Sequence, residues 1–91
     1  MKRIVKEASA GTVESSDVLV HIAPNESGIE LDVESVVLFQ FGEAIRSAVM
    51  ETLQEQGVEN ARVRVMDRGA LDCVIRARVE TAVMRAEEVA E

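Results

Sequence analysis

The stretch DVLVHIAPNESGIELDVES, residues 17–35, decides how this chain folds. Its first half sets Val18, Val20 and Ile22 on one side of an extended backbone, with Leu19 and His21 on the other. Pro24 ends the run. A period of two is the signature of a strand, and a partly apolar second side marks a central one. The tetrapeptide NESG, residues 25–28, is a turn signal. The second half alternates strictly, with Ile29, Leu31 and Val33 inward and Glu30, Asp32 and Glu34 outward. That pattern reads as a half-buried strand with an acidic outer face. The two strands are expected to pair as a hairpin.

Toward the C-terminus the period changes. Leu38, Phe41, Ile45, Val49 and Leu53 recur at helical spacing, with Ser35 as the expected N-cap and Gly57 as the stop. ARVRVMDRG, from Ala61, alternates again, with Ala61, Val63 and Val65 inward and Arg62 and Arg64 outward. ALDCVIRARVETAVMRA, from Ala70, reads as a second helix whose apolar stripe is Leu71, Ile75, Val79, Ala82, Val83 and Ala86. Asp72 lies in its first turn, where a carboxylate suits the helix dipole. The terminal AEEVAE is expected to fray.

Toward the N-terminus, residues 1–14 show no sustained period and read as an arm with at most a short extended piece at Ile4–Val5. The expectation is one domain over residues 1–91. Its class is α+β, a two-layer β-β-α-β-α domain with a small three-stranded sheet and both helices on one face. The first strand is expected to be central. The second and third strands would then be joined by a split, right-handed crossover.

Composition narrows the function. The 91 residues carry 17 acids and 10 Lys or Arg, a net charge of −7. Such a surface is a poor partner for nucleic acid and a better one for basic protein surfaces. Two Phe and no Trp or Tyr leave few rings for stacking bases or flat cofactors. The single Cys73 cannot form an intrachain disulfide, which points to the cytoplasm. The basic N-terminus has no apolar core of a secretory signal, and no apolar run approaches membrane-span length.

No catalytic constellation assembles. His21 and Cys73 are each alone, too few for a zinc site. Cys73 reads as a small packing residue beside Ala77 and Met84, and His21 as a sheet residue. Glu30, Asp32 and Glu34 are the solvated side of a strand, with Arg62 and Arg64 placed to balance them or touch a partner. The five glycines are scattered, with no phosphate-binding loop. One feature stays unabsorbed: GTVESSDV, residues 11–18, sets two serines between two acids ahead of a strand. It reads either as a turn whose Ser and Asp bond local backbone, or as an exposed hydroxyl offered to a transferase. No base stands beside it in the sequence, so a modified serine would need another enzyme.

The segments AGTVESSDV, HIAP, QFGEAIR and GALDC-x-x-RAR-x-E occur in order from Ala10 to about Ala86. With them the chain resembles the acyl carrier, or gamma, subunits of citrate lyase. The malonate decarboxylase carrier subunits are related but match less well. The resemblance implies that the serine after Glu14, Ser15, carries a covalent phosphoribosyl dephospho-coenzyme A through a phosphodiester. It implies a non-catalytic carrier whose arm holds acetyl and citryl groups while citrate is cleaved to acetate and oxaloacetate. The implied partners are the alpha (transferase) and beta (lyase) subunits and a prosthetic-group transferase. Ser16 stands where many members of the family have Gly. The competing class is an interaction module with no prosthetic group.

Overall fold

The computed structural model describes residues 2–89. The elements follow the order β1 (Lys2–Ile4), β2 (Ala8–Gly11), β3 (Val18–Ala23), β4 (Ile29–Ser35), α1 (Leu38–Glu55), β5 (Ala61–Asp67), α2 (Asp72–Ala86) and β6 (Glu87–Val89). Four of them make one sheet in the order β2-β3-β5-β4, and β1 pairs with β6 in a separate two-stranded sheet. The α+β class and the two-layer arrangement hold, with a sheet larger than the three strands expected.

The expected hairpin between β3 and β4 does not form. β5 lies between them, antiparallel to β3 and parallel to β4. Charge explains the preference. Next to β4, β5 sets Arg62 beside Glu30 and Arg64 beside Asp32. β3 offers only Leu19 and His21 on that side, so pairing it with β4 would leave the acids unmatched. The Arg62–Glu30 contact is 2.8 Å and the Arg64–Asp32 contact 4.0 Å. Cross-strand pairs of this kind contribute about 0.2–1 kcal/mol each, enough to bias a register. Since β4 and β5 are neighbours, the crossover through α1 is not split.

The hairpin of this fold is instead β2–β3, with Gly11 opposite Leu19. The segment expected as an arm thus supplies an edge strand and β1. The C-terminal residues expected to fray form β6, whose Glu87 pairs with Ile4; Ala90 and Glu91 lie outside the described residues.

The inward positions behave as their alternation demands. Val18, Val20, Ile22, Ala61, Val63 and Val65 are buried in one cluster with Ile45, Val49 and Leu53 of α1 and Ile75, Val79 and Val83 of α2. Both helices therefore cover one face of the sheet. Each fully buried Val, Ile or Leu contributes roughly 1.5–3 kcal/mol relative to exposure.

The helix ends depart from expectation. Ser35 belongs to β4, and α1 begins at Leu38 after Val37, with no side-chain cap. At its other end Gly57, at φ +73°, closes the helix as expected. Its N–H donates to Gln54 and that of Val58 to Leu53, at 3.0 Å each. Leu38, Phe41 and Leu71, assigned to apolar stripes, are exposed. So is Cys73, which corrects its reading as a packing residue.

Candidate functional site

The loop joining β2 to β3 is built from its stem upward. Gly11 has φ +94°, and a Cβ there would sit 1.8 Å from the Val18 carbonyl oxygen and 3.2 Å from Cδ of Arg78. Only glycine lets the strands approach this closely. Above it, the Thr12 N–H donates to the Val18 carbonyl at 3.2 Å.

Asp17 is the organiser. Its carboxylate accepts from the Thr12 hydroxyl at 2.7 Å, from the Val18 N–H at 2.7 Å, and from Arg78 Nε and Nη2 at 3.1 and 2.9 Å. The Arg78 fork meets both carboxylate oxygens, a bidentate geometry that fixes direction as well as distance. It ties the loop to the middle of α2. Arg78, first among the causes, holds the Asp17 carboxyl at about 2, below its ordinary value of 3.8, with the hydroxyl of Thr12 adding to the effect.

The tip is a reverse turn. The Asp17 N–H donates to the Glu14 carbonyl at 3.1 Å, leaving Ser15 and Ser16 as the central pair. Ser16 has φ +64°, the left-handed region that favours glycine. A glycine would take this conformation without strain. The Ser16 N–H donates to the Arg68 carbonyl, and the Arg68 N–H to the Asp17 carbonyl, at 2.9 Å each. The turn is thereby pinned to the β5–α2 connection.

Ser15 sits at the tip, exposed, between exposed Glu14 and Ser16. Among the described residues neither its hydroxyl nor that of Ser16 makes a hydrogen bond, while the Thr12 hydroxyl and the Asp17 carboxylate of the stem are engaged. The arrangement holds the backbone and leaves two primary alcohols free at the tip, Ser15 and the left-handed Ser16.

The other sequence candidates lie elsewhere. His21 is on the solvent face of the sheet, bonded to Ser9 Oγ at 2.9 Å and to Glu7 Oε1 at 3.1 Å. Cys73 is in the helix layer. No group of three or more His, Cys, Asp and Glu among the described residues could hold a metal ion. No described helix is long and apolar enough to cross a membrane.

Sequence reasoning missed Arg78 and Asp67. Arg78 lies inside the RAR segment of the resemblance, but nothing local says that it reaches Asp17. Asp67 is an acid at an inward position of β5, followed by a glycine, and that register was the available signal. It is 3% exposed, accepts from Ser35 Oγ at 2.7 Å, and closes the next turn by accepting from the N–H groups of Gly69 and Ala70.

Residues 5–86 match the protein family described as ACP: Malonate decarboxylase delta subunit (MdcD). A citrate lyase acyl carrier protein of Escherichia fergusonii is 57% identical over 89 residues, covering 97% of this chain and 92% of the relative. The chain belongs to the citrate lyase acyl carrier protein family. Family members of the same name in Serratia proteamaculans and Vibrio cholerae are 58% and 56% identical, over 92% and 96% of this chain and 83% and 90% of their own. Among solved structures, a chain of a Pseudomonas malonate decarboxylase hetero-tetramer in complex with malonate superposes with a TM-score of 0.76 over 94% of both chains. At 20% identity it shows that the family fold is shared.

Proposed function

We propose that this protein is the acyl carrier subunit of a citrate lyase and that Ser15 is the attachment point of its prosthetic group. The observation that carries this reading is the free Ser15 hydroxyl, held out on a turn whose stem is locked by Gly11, Asp17 and Arg78. A covalent arm needs an accessible nucleophilic oxygen on a backbone that does not fold back over it. The loop fits both requirements.

The group proposed is a phosphoribosyl dephospho-coenzyme A. Once attached, it supplies a terminal thiol on which acyl groups ride as thioesters. The chain contributes one oxygen to this chemistry. Ser15 Oγ forms the new P–O bond to a phosphoanhydride donor, the donor's phosphate leaving group departs, and the hydroxyl proton passes to a base. Asp17 is not that base: a carboxyl held at about 2 is too weakly basic, and both its oxygens are occupied by Arg78. The base therefore comes from the prosthetic-group transferase. Thereafter the chain positions the arm for the alpha and beta subunits, which carry out transferase and lyase chemistry in the cytoplasm. A long tether makes each delivery effectively intramolecular. The carrier of a malonate decarboxylase is the second reading, kept because the matching family is described by that name. The closely similar relatives named for citrate lyase favour the first.

The test is intact mass and peptide mapping of chain treated with the transferase and its donor. Wild type and Ser16→Ala should gain the arm on the peptide containing Ser15, and Ser15→Ala should gain nothing while keeping its fold. Uptake by Ser15→Ala would refute the assignment. Cys73→Ala should keep acyl loading, since the thioester forms on the arm and not on this exposed thiol.

A further inference from the structure

Arg68 is the first residue beyond β5, and the loop that carries Ser15 is bonded to it twice. The Ser16 N–H donates to its carbonyl, and its own N–H donates to the Asp17 carbonyl, at 2.9 Å each. The β3–β5 ladder stops one pair earlier, at Val18 and Asp67. Two residues, Ser16 and Asp17, therefore face one, Arg68, and the first of them is left-handed at φ +64°. That is a bulge of the kind usually built on glycine, a device that re-aims the side chains around it. It fixes Arg68 beside Ser15. With the Ser16–Arg68 hydrogen bond at 2.9 Å and ordinary bond lengths, the Cα atoms of Ser15 and Arg68 lie within about 8 Å of each other.

Most arginines of this chain are engaged. Arg62 pairs with Glu30, Arg76 with Asp72 and Arg78 with Asp17, and Arg85 donates to the Ser9 carbonyl. Arg68 is exposed, and among the described residues its guanidinium has no ion pair and no hydrogen-bond acceptor. Arg3 and Lys6 share that condition, but both precede β2, and Lys2 beside them bridges to Val58 ahead of β5. They belong to the other end of the sheet. At the Ser15 end, Arg68 is the uncommitted cation among the described residues.

The acids beside it sharpen the point. Asp17 is matched by Arg78. Glu14 is exposed and in no ion pair among the described residues, so it does not occupy Arg68. A phosphodiester on Ser15 Oγ adds a further negative charge next to Glu14. An arginine is the fitting group to receive it, since it is planar, always charged, and offers paired N–H groups matched to two phosphate oxygens. Its side chain extends about 7 Å from Cα and a serine-bound phosphorus stands about 4 Å from its own Cα, so the two meet across the gap at ordinary bond lengths.

We propose that Arg68 is the binding residue for the phosphate through which the prosthetic group is attached. Its guanidinium donates to the non-bridging oxygens and holds the root of the arm against the loop. Arg68 makes and breaks no covalent bond. It sets the direction in which the arm leaves the turn, and it offsets the repulsion between the phosphate and Glu14.

This inference rests on the carrier reading, and one experiment separates the two. Wild type, Arg68→Gln and Arg3→Gln are each loaded to completion by the transferase and its donor, with intact mass as the check. The thermal midpoint of each is read before and after loading. Relative to Arg68→Gln, loading should raise the midpoint of wild type and of Arg3→Gln by about 2–5 °C, as an exposed charge pair does in a domain of this size. Salt at about 1 M should remove that difference. The backbone groups of Arg68 that hold the loop are unchanged in Arg68→Gln, so the variant should fold. In 15N-labelled wild type the Arg68 Nε–H signal should move on loading, and this reading decides the matter if Arg68→Gln resists the transferase. Equal gains in Arg68→Gln and wild type overturn the inference and leave the carrier reading intact. So does loss of the gain in Arg3→Gln, or an Arg68 Nε–H signal unmoved by loading. Failure of wild type itself to take up the arm on Ser15 overturns both.

Discussion

Asp17 and Asp67 stand at the same end of the sheet and build adjacent turns with the same tool, a carboxylate that collects hydrogen-bond donors. Asp67 closes its turn chiefly with the turn's own backbone: it takes the N–H groups of Gly69 and Ala70, with the hydroxyl of Ser35 from the end of β4, and is buried in doing so. Asp17 takes the hydroxyl of Thr12 and the N–H of Val18, but its remaining partner is Arg78, from a helix far along the chain. One turn spends its carboxylate mainly on its own backbone N–H groups. The other is anchored from outside, which frees the residues at its tip. A site that presents a side chain is made by moving the stabilising contacts away from the residue presented.

The largest expected effect tests whether the presenting loop depends on its stem. Gly11→Ala adds a Cβ 1.8 Å from the Val18 carbonyl at φ +94°, and should destabilise the protein by about 3 kcal/mol or more in urea unfolding. A loss under about 1 kcal/mol would mean that the strands part easily and the loop is not held. Asp67→Ala comes next. It strands two N–H groups and the Ser35 hydroxyl, and should cost roughly 2–4 kcal/mol while leaving Ser15 modifiable, which distinguishes a closing turn from a presenting one.

The Asp17 anchor is sharpened by pH. Its carboxyl titrates at about 2 when folded against an ordinary 3.8, so the unfolded chain binds the proton more readily. The stabilisation is complete above the ordinary value and disappears as pH falls through the folded one. The stability difference between wild type and Asp17→Asn, from urea midpoints, should therefore be constant near neutrality and shrink between pH 3.8 and about 2. A difference that stays constant through that window would show that Arg78 does not hold the carboxylate. The smallest effect is a gain. Ser16→Gly removes a side chain from a left-handed residue and should stabilise by about 0.5 kcal/mol, since relief of strain is partly offset by the freer unfolded chain. A loss of stability would mean that the Ser16 side chain supports the turn.

Much of the fold was legible because alternation and helical spacing report directly on which atoms face the core. The inward sets of β3, β4 and β5 and the stripes around Ile45 and Ile75 follow from them. Strand order was not legible, since β3 and β4 present equally suitable inner faces and only the arginines of β5 break the tie. β1 and β2 escaped for a different reason: KRI and ASAG are too short and too small-sided to show a period, and they become strands because a neighbour supplies the ladder. At the candidate site, Ser15 is proposed from the resemblance and its acidic flanks, and the structure places it exposed at a turn tip. Its anchor was not legible, because Arg78 is 61 residues from Asp17 and no local pattern encodes so distant a contact. The apolar stripes overreached at Leu38, Phe41 and Leu71, where helical spacing continues past the edge of the core and cannot tell a buried ring from a displayed one.

β4 ends the sheet, and its outer side carries a row of backbone groups with no strand beside them, apart from the Leu31 carbonyl that Arg46 reaches at 3.3 Å. Bare edges are where proteins stick to their own copies. Here Glu30, Asp32 and Glu34 recur at every second residue along that edge. Two molecules meeting edge to edge would bring acid opposite acid at about 5 Å, while Arg62 and Arg64 stay one strand further back. The same acids that fixed the register inside the sheet thus act as a fence outside it, and concentrated solutions of the protein should stay free of fibrils and self-made ribbons.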